Sequence, residues 1–184
     1  MTLEDQQQPR PQRHFQAVLV GWVRDLFISL FVSAFIIIFL YQPVKVEGTS
    51  MLPGLQDQER IFVNKFVYHL EGIARGDIVV FHYPRDPSKS YIKRVVATGG
   101  DRVRIEFGRV YVNGFALHEP YVPLEFLDAR SHSEIVVPPG SYFVLGDHRS
   151  ASSDSRDFGP VPRDMIYGKA VFVYWPMQKL GLLR

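Results

Sequence analysis

Sixteen consecutive residues without a charge, Leu26 to Tyr41 (LFISLFVSAFIIIFLY), set the first constraint on this chain. Only Ser29 and Ser33 interrupt the apolar character, so no polar stripe at a 3.6-residue period marks a surface helix of a soluble core. A membrane-spanning helix needs about 20 residues. Val20, Gly21, Trp22 and Val23 extend the run on its N-terminal side, while Arg24 and Lys45 are long enough to snorkel toward headgroups. The expectation is a transmembrane helix over 21–42, ended by Pro43. A cleavable leader would place small residues soon after the run, and YQPVKVEG offers none. Residues 1–14, rich in Gln, Pro and Arg, read as a disordered tail within a cytoplasmic segment 1–20. Arg10, Arg13 and Arg24 precede the apolar run and favour a cytoplasmic N-terminus. The remaining 18 Lys and Arg lie in a long segment that translocates largely regardless of charge.

Beyond Pro43 the texture changes to short β-type runs separated by turn signals. They are RIFVNKF (60–66), DIVVFHY (77–83), SYIKRVVA (90–97), RVRIEF (102–107), RVYV (109–112), EIVV (134–137), SYFVLG (141–146) and GKAVFVYW (168–175). Asn113-Gly114 is a two-residue hairpin signal. The fold class expected is mainly β: an antiparallel β domain over 43–184 behind an N-terminal transmembrane helix. No cysteine is present, which excludes a disulfide scaffold, a Cys-ligated zinc and a thiol nucleophile. The six histidines show no metal-ligand spacing, so neither metal nor other cofactor is expected. A net charge of +2 with no basic run interleaved with aromatics sets nucleic acid aside as a partner.

Three segments stand out. In VEGTSMLPGL (46–55), Ser50 lies between Gly48 and Pro53, a setting for a tight turn that presents a hydroxyl; such turns are common on their own. In YIKRVVATGGD (91–101), strand alternation puts Tyr91, Lys93 and Val95 on one face and Ile92, Arg94 and Val96 on the other. If both faces are covered, at least one of the two cations must be paired or held neutral. The segment GDHRSASSDSRDFGPVP (146–162) is dense in Asp and Arg, as in loops locked by carboxylate–guanidinium pairs.

Together these segments resemble the type I signal peptidase (leader peptidase) family of bacteria. Gly48-Thr49-Ser50-Met51-Leu52-Pro53 matches its nucleophile motif, and Tyr91-Ile92-Lys93-Arg94-Val95-Val96 its general-base strand. Gly146-Asp147-His148-Arg149 through Ser152, Asp154-Ser155-Arg156 and Phe158-Gly159 matches its last box. The likeness extends to the anchor and to Glu119-Pro120-Tyr121. It implies a membrane-bound serine endopeptidase that removes signal peptides from exported preproteins after Ala-X-Ala-like sites. Ser50 would be the nucleophile and Lys93 the base, with Ser152 orienting the Lys93 amine. Asp147 would pair with Arg94, and Asp154 with Arg156. Val44, Val46, Leu55, Tyr91 and Ile92 would line the substrate pockets. Partners implied are signal peptides of secreted preproteins and membrane lipid. The chain would be a single-pass protein of the plasma membrane, its catalytic domain outside.

This sequence departs from the family pattern at Gly54, where Thr is usual, and at His148, where Asn is usual. Gly48 also lacks the hydroxyl that some members use in the oxyanion hole, leaving the Ser50 N–H for that task. A self-cleaving repressor with the same dyad would carry a DNA-binding module in place of the anchor. A Ser-His-Asp hydrolase built from Ser50, His148 and Asp147 would need adjacent residues to converge although neighbours on an extended chain point apart. The eukaryotic-type signal peptidase has His where Lys93 stands. A silent peptide-binding β domain would need neither Ser50 nor Lys93.

Overall fold

The computed structural model describes residues 11–183, with the backbone alone for 11–17 and 37–39. It divides into two compact units, Met1–Leu40 and Tyr41–Arg184. The described residues of the first form one helix, α1 (Pro11–Leu40), and its stretch Val18–Ile36 is long and apolar enough to cross a membrane. Trp22, Leu26, Phe27, Leu30 and Phe31 are all exposed, so the helix is apolar around its circumference, as lipid-facing helices are. The two charges inside that stretch, Arg24 and Asp25, pair with each other at 2.9 Å.

The helix bounds differ from the expected 21–42. Residues 11–14, expected to be disordered, are helical, while the rest of that expected tail lies outside the described residues. At the other end α1 stops at Leu40, and Tyr41 and Gln42 already belong to a strand. Pro43 accounts for this: its ring disfavours helical geometry at Gln42 and pushes that residue extended.

The second unit is β-rich. Its elements are β1 (Tyr41–Lys45), β2 (Arg60–Asn64), α2 (Val67–Leu70), β3 (Ile78–Tyr83), β4 (Asp86–Thr98), β5 (Arg102–Glu106), β6 (Arg109–Val112) and β7 (Phe115–Ala116). There follow β8 (His132–Val136), β9 (Ser141–Leu145), α3 (Ser155–Phe158), β10 (Val161–Pro162), β11 (Ile166–Trp175) and β12 (Gly181–Leu182). The larger sheet runs β1-β2-β11-β3-β4-β9-β10, with β12 on β11; the smaller runs β7-β6-β5-β8. Among the described residues the strand pairs are antiparallel throughout.

Residues of β3 explain why the larger sheet is buried on both faces. Ile78 and Val80 pack with Val46, Met51, Leu55, Ile61 and Val63, while Val79 and Phe81 pack with Tyr68, Ile73, Val95 and Val144 on the other side. A strand covered on both faces reads as a continuous apolar run, and IVVF is one. A third cluster joins Val96, Phe143 and Leu145 to Val103, Ile105, Val110 and Val112, coupling the two sheets.

Besides its terminal strands β10 and β12, the larger sheet has open edges on β4 and β1. The ladder between β4 and β9 starts at Arg94, so Ser90–Lys93 carry a partner only on the β3 side. The strand β1 pairs with β2 alone, and Pro43 is tolerated there because an edge strand has a side with no ladder to complete.

Candidate active site

Past β1 the chain stays paired for one more residue, through Val46 N–H to Glu59 O and Gln58 N–H to Val46 O, and then turns. The turn needs Gly48, whose φ of +98° lies where side-chain-bearing residues are strained. The Gly48 N–H donates to the Asp57 carboxylate at 2.8 Å, and Leu52 N–H closes on Thr49 O at 3.1 Å. Met51 and Leu55 drop into the core, which leaves Ser50 directed at the cleft.

Ser50 Oγ lies 2.7 Å from Lys93 Nζ, which also donates to the Ile92 carbonyl at 3.0 Å. Lys93 is only 4% exposed. Burial pushes its amine down to about 8, and the carboxylates of Asp154 and Asp147 partly oppose that shift. On the other side of β4, Arg94 is equally buried but keeps its charge through Asp147, with contacts at 2.9 and 2.7 Å. It also donates to Gly76 O at 3.0 Å and lies 4.1 Å over the Tyr121 ring. Both faces of β4 are covered, and the two cations meet that situation in opposite ways, one depressed and one paired.

The segment Gly146–Phe158 is cross-linked as its composition suggested. Arg156 grips Asp154 twice at 2.8 Å, reaches Asp128 at 2.6 Å and donates to Arg149 O at 2.9 Å. Asp154 in turn accepts from Gly146 N–H at 3.1 Å and caps α3. Arg149, 2% exposed, donates to Gly146 O at 3.0 Å and pairs with Glu119. Gly146 has no room for a side chain: a Cβ there would fall 2.2 Å from Ser152 Oγ and 2.5 Å from Ser50 O.

Of the residues expected at the site, Ser50 and Lys93 come together, as do the pairs Arg94–Asp147 and Asp154–Arg156. Ser152 sits against Gly146 and is buried, and its hydroxyl has no hydrogen-bond partner among the described residues. Val44, Val46, Tyr91 and Ile92 line a cleft of about 720 Å³ with Ser50 and Lys93, between the open edges of β1 and β4. Leu55 does not line it; fully buried, it belongs to the core beneath. His148 Nδ1 faces Thr49 O and Asp147 is held by Arg94, so a Ser50–His148–Asp147 triad is not assembled. Sequence reasoning missed Glu119 and Asp128 as the partners of Arg149 and Arg156. The one signal for Glu119 was its place in the matched Glu119-Pro120-Tyr121.

Comparison with known proteins adds to this geometry. The family model described as "Signal peptidase, peptidase S26" matches residues 19–175. "Signal peptidase I" of Bacillus caldolyticus is 38% identical over 167 residues, covering 84% of this chain and 91% of that protein. "Signal peptidase IB" of Staphylococcus aureus is 33% identical over 177 residues, covering 88% and 92%. A crystal structure of a signal peptidase I from Enterococcus faecalis V583 aligns with a TM-score of 0.48 and 30% identity, over 54% of this chain and 97% of that one.

Proposed function

The chain belongs to the signal peptidase S26 family of serine endopeptidases, and we propose that it cleaves exported preproteins after Ala-X-Ala-like sites with Ser50 as nucleophile and Lys93 as general base. The observation that carries this reading is the 2.7 Å contact between Ser50 Oγ and a buried Lys93 amine lowered to about 8. An amine accepts a proton only when uncharged, and an ordinary lysine is almost wholly charged at neutral pH. Burial supplies the neutral form, which takes the Ser50 proton as Oγ attacks the scissile carbonyl. The resulting ammonium returns that proton to the leaving amine, and the same amine then activates the water that releases the acyl group. The Ser50 N–H donates to the oxyanion.

Substrate would add as a strand along the open edges of β1 and β4. Alternate side chains then face Val44, Val46, Tyr91 and Ile92, and shallow walls select small ones. Lys93 fixes the pH dependence. Its neutral fraction grows as pH rises through about 8, so kcat/KM for a preprotein should climb up to tenfold per pH unit below that value and level off above it. A profile governed instead by a group near pH 6.5 and moved by His148→Asn would overturn the base assignment.

α1 is the anchor in this reading, with 1–20 in the cytoplasm and 43–184 outside the plasma membrane. Tethering confines enzyme and substrate to one surface and raises their effective concentration. Protease added outside sealed vesicles of inside-in orientation should digest a C-terminal tag and spare an N-terminal one. The opposite protection pattern would reverse the topology.

A further inference from the structure

The two peptide planes flanking Ser50 are both held by one residue, His148. Its backbone N–H donates to Ser50 O at 3.0 Å, and its Nδ1 lies 3.2 Å from Thr49 O. A carbonyl oxygen only accepts, so Nδ1 carries the proton in the neutral ring and in the imidazolium alike. The ring is seated against Phe126, from the short turn Leu124–Phe126, with centroids 4.2 Å apart and planes tilted by 37°.

Thr49 C=O and Ser50 N–H are opposite ends of one planar trans peptide. They point in opposite directions, so fixing the oxygen fixes the aim of the N–H. That N–H donates to no protein acceptor among the described residues, which leaves it available to a ligand. Donation to the carbonyl end also polarises the N–H end.

We propose that His148 is a positioning residue for this hydrolysis: its Nδ1–H holds the Thr49 carbonyl and thereby aims the Ser50 N–H at the oxyanion. The inference rests on reading Ser50 as the nucleophile. As the Oγ–carbon bond forms, the carbonyl π pair moves onto oxygen, and the aimed N–H binds that oxygen more strongly than the ground-state carbonyl. A misaimed donor therefore costs turnover rather than substrate binding. Phe126 contributes by seating the ring.

The test uses the full-length enzyme in detergent micelles with a preprotein substrate. In His148→Asn the amide nitrogen takes the place of Nδ1, since both are bonded to Cγ, and the donor is kept. His148→Asp has the same outline but only acceptors, and His148→Leu has neither donor nor charge. The Asn variant should keep kcat within about threefold, while Asp and Leu lose on the order of tenfold or more in kcat at nearly unchanged KM. Comparable kcat for Asn and Leu, or a loss confined to KM, would overturn the role of His148. Ser50→Ala run alongside separates the two readings, because retained cleavage there would remove the nucleophile assignment itself. Should Asp fail to fold, the Asn–Leu comparison decides alone.

Discussion

Replacing Lys93 by Met is expected to cut preprotein cleavage by about 10⁴-fold or more, as is Ser50→Ala, while both proteins stay folded. Methionine keeps the unbranched stem in its slot and removes only the amine. Stability should not suffer, and the reason lies in the sign of the proton linkage. The folded Lys93 amine is lowered from 10.5 to about 8, so the unfolded chain binds more protons between those values and stability rises with pH there. At neutral pH, below both values, the folded state therefore carries the full cost of burying the ammonium, and Met relieves it. Thermal unfolding at pH 7 should show Lys93→Met at or above the wild-type Tm. Lys93→Arg should be equally inactive, because a guanidinium is not deprotonated near neutral pH. Retained cleavage in Lys93→Arg would end the proposal of a lysine base.

Where one residue type decides local structure, the sequence was legible. RVYV was read as a strand over 109–112 and is β6 over those same residues, because Asn113-Gly114 closes it with both residues at positive φ. DIVVFHY (77–83) reads as a β-type run, and the structure adds that its IVVF core is covered on both faces. The 13-residue β4 extends beyond the expected 90–97: Asp86, Pro87, Ser88 and Lys89 carry no apolar alternation to read, and only the pairing of Asp86 with Tyr83 across a register shift ties that end to β3. For β1 the same limit applies. YQPVK has a proline and two polar residues, and only the ladder to β2 makes it a strand.

At the site, the motifs named the groups but not the contacts between distant segments. Ser50 and Lys93 are 43 positions apart, and Glu119 and Arg149 are 30. Leu55 shows the limit from the other side. The family resemblance implies a pocket wall there, yet the turn at Thr49–Leu52 sends Leu55 into the core with Ile61 and Val63. No local pattern separates an apolar residue that lines a cleft from one that floors it.

The second large effect concerns the pair behind the dyad. Arg94 and Asp147 are buried, and their carboxylate–guanidinium contact ties β4 to the segment that starts at the end of β9. Burial pulls the Asp147 carboxyl upward, and the Arg94 guanidinium pulls it back toward the ionised form. Removing one partner leaves the other buried without it, and such losses cost roughly 3–5 kcal/mol. Asp147→Ala and Arg94→Met should therefore each lower Tm by roughly 10 °C. Replacing both at once with apolar residues, Arg94→Met with Asp147→Leu, leaves no orphaned charge and should recover much of that loss. The double-mutant cycle should thus show strong non-additivity, read from urea unfolding of all four proteins in one detergent. Activity is expected to behave differently. Lys93 precedes Arg94 and His148 follows Asp147, so the pair also sets where the base and the Ser50 carbonyl anchor meet. The apolar double variant should regain stability without regaining full kcat, because a contact without direction holds β4 and the turn less strictly than a two-pronged one. Additive stability losses, or full recovery of kcat in the double variant, would show that the pair does not act as this brace.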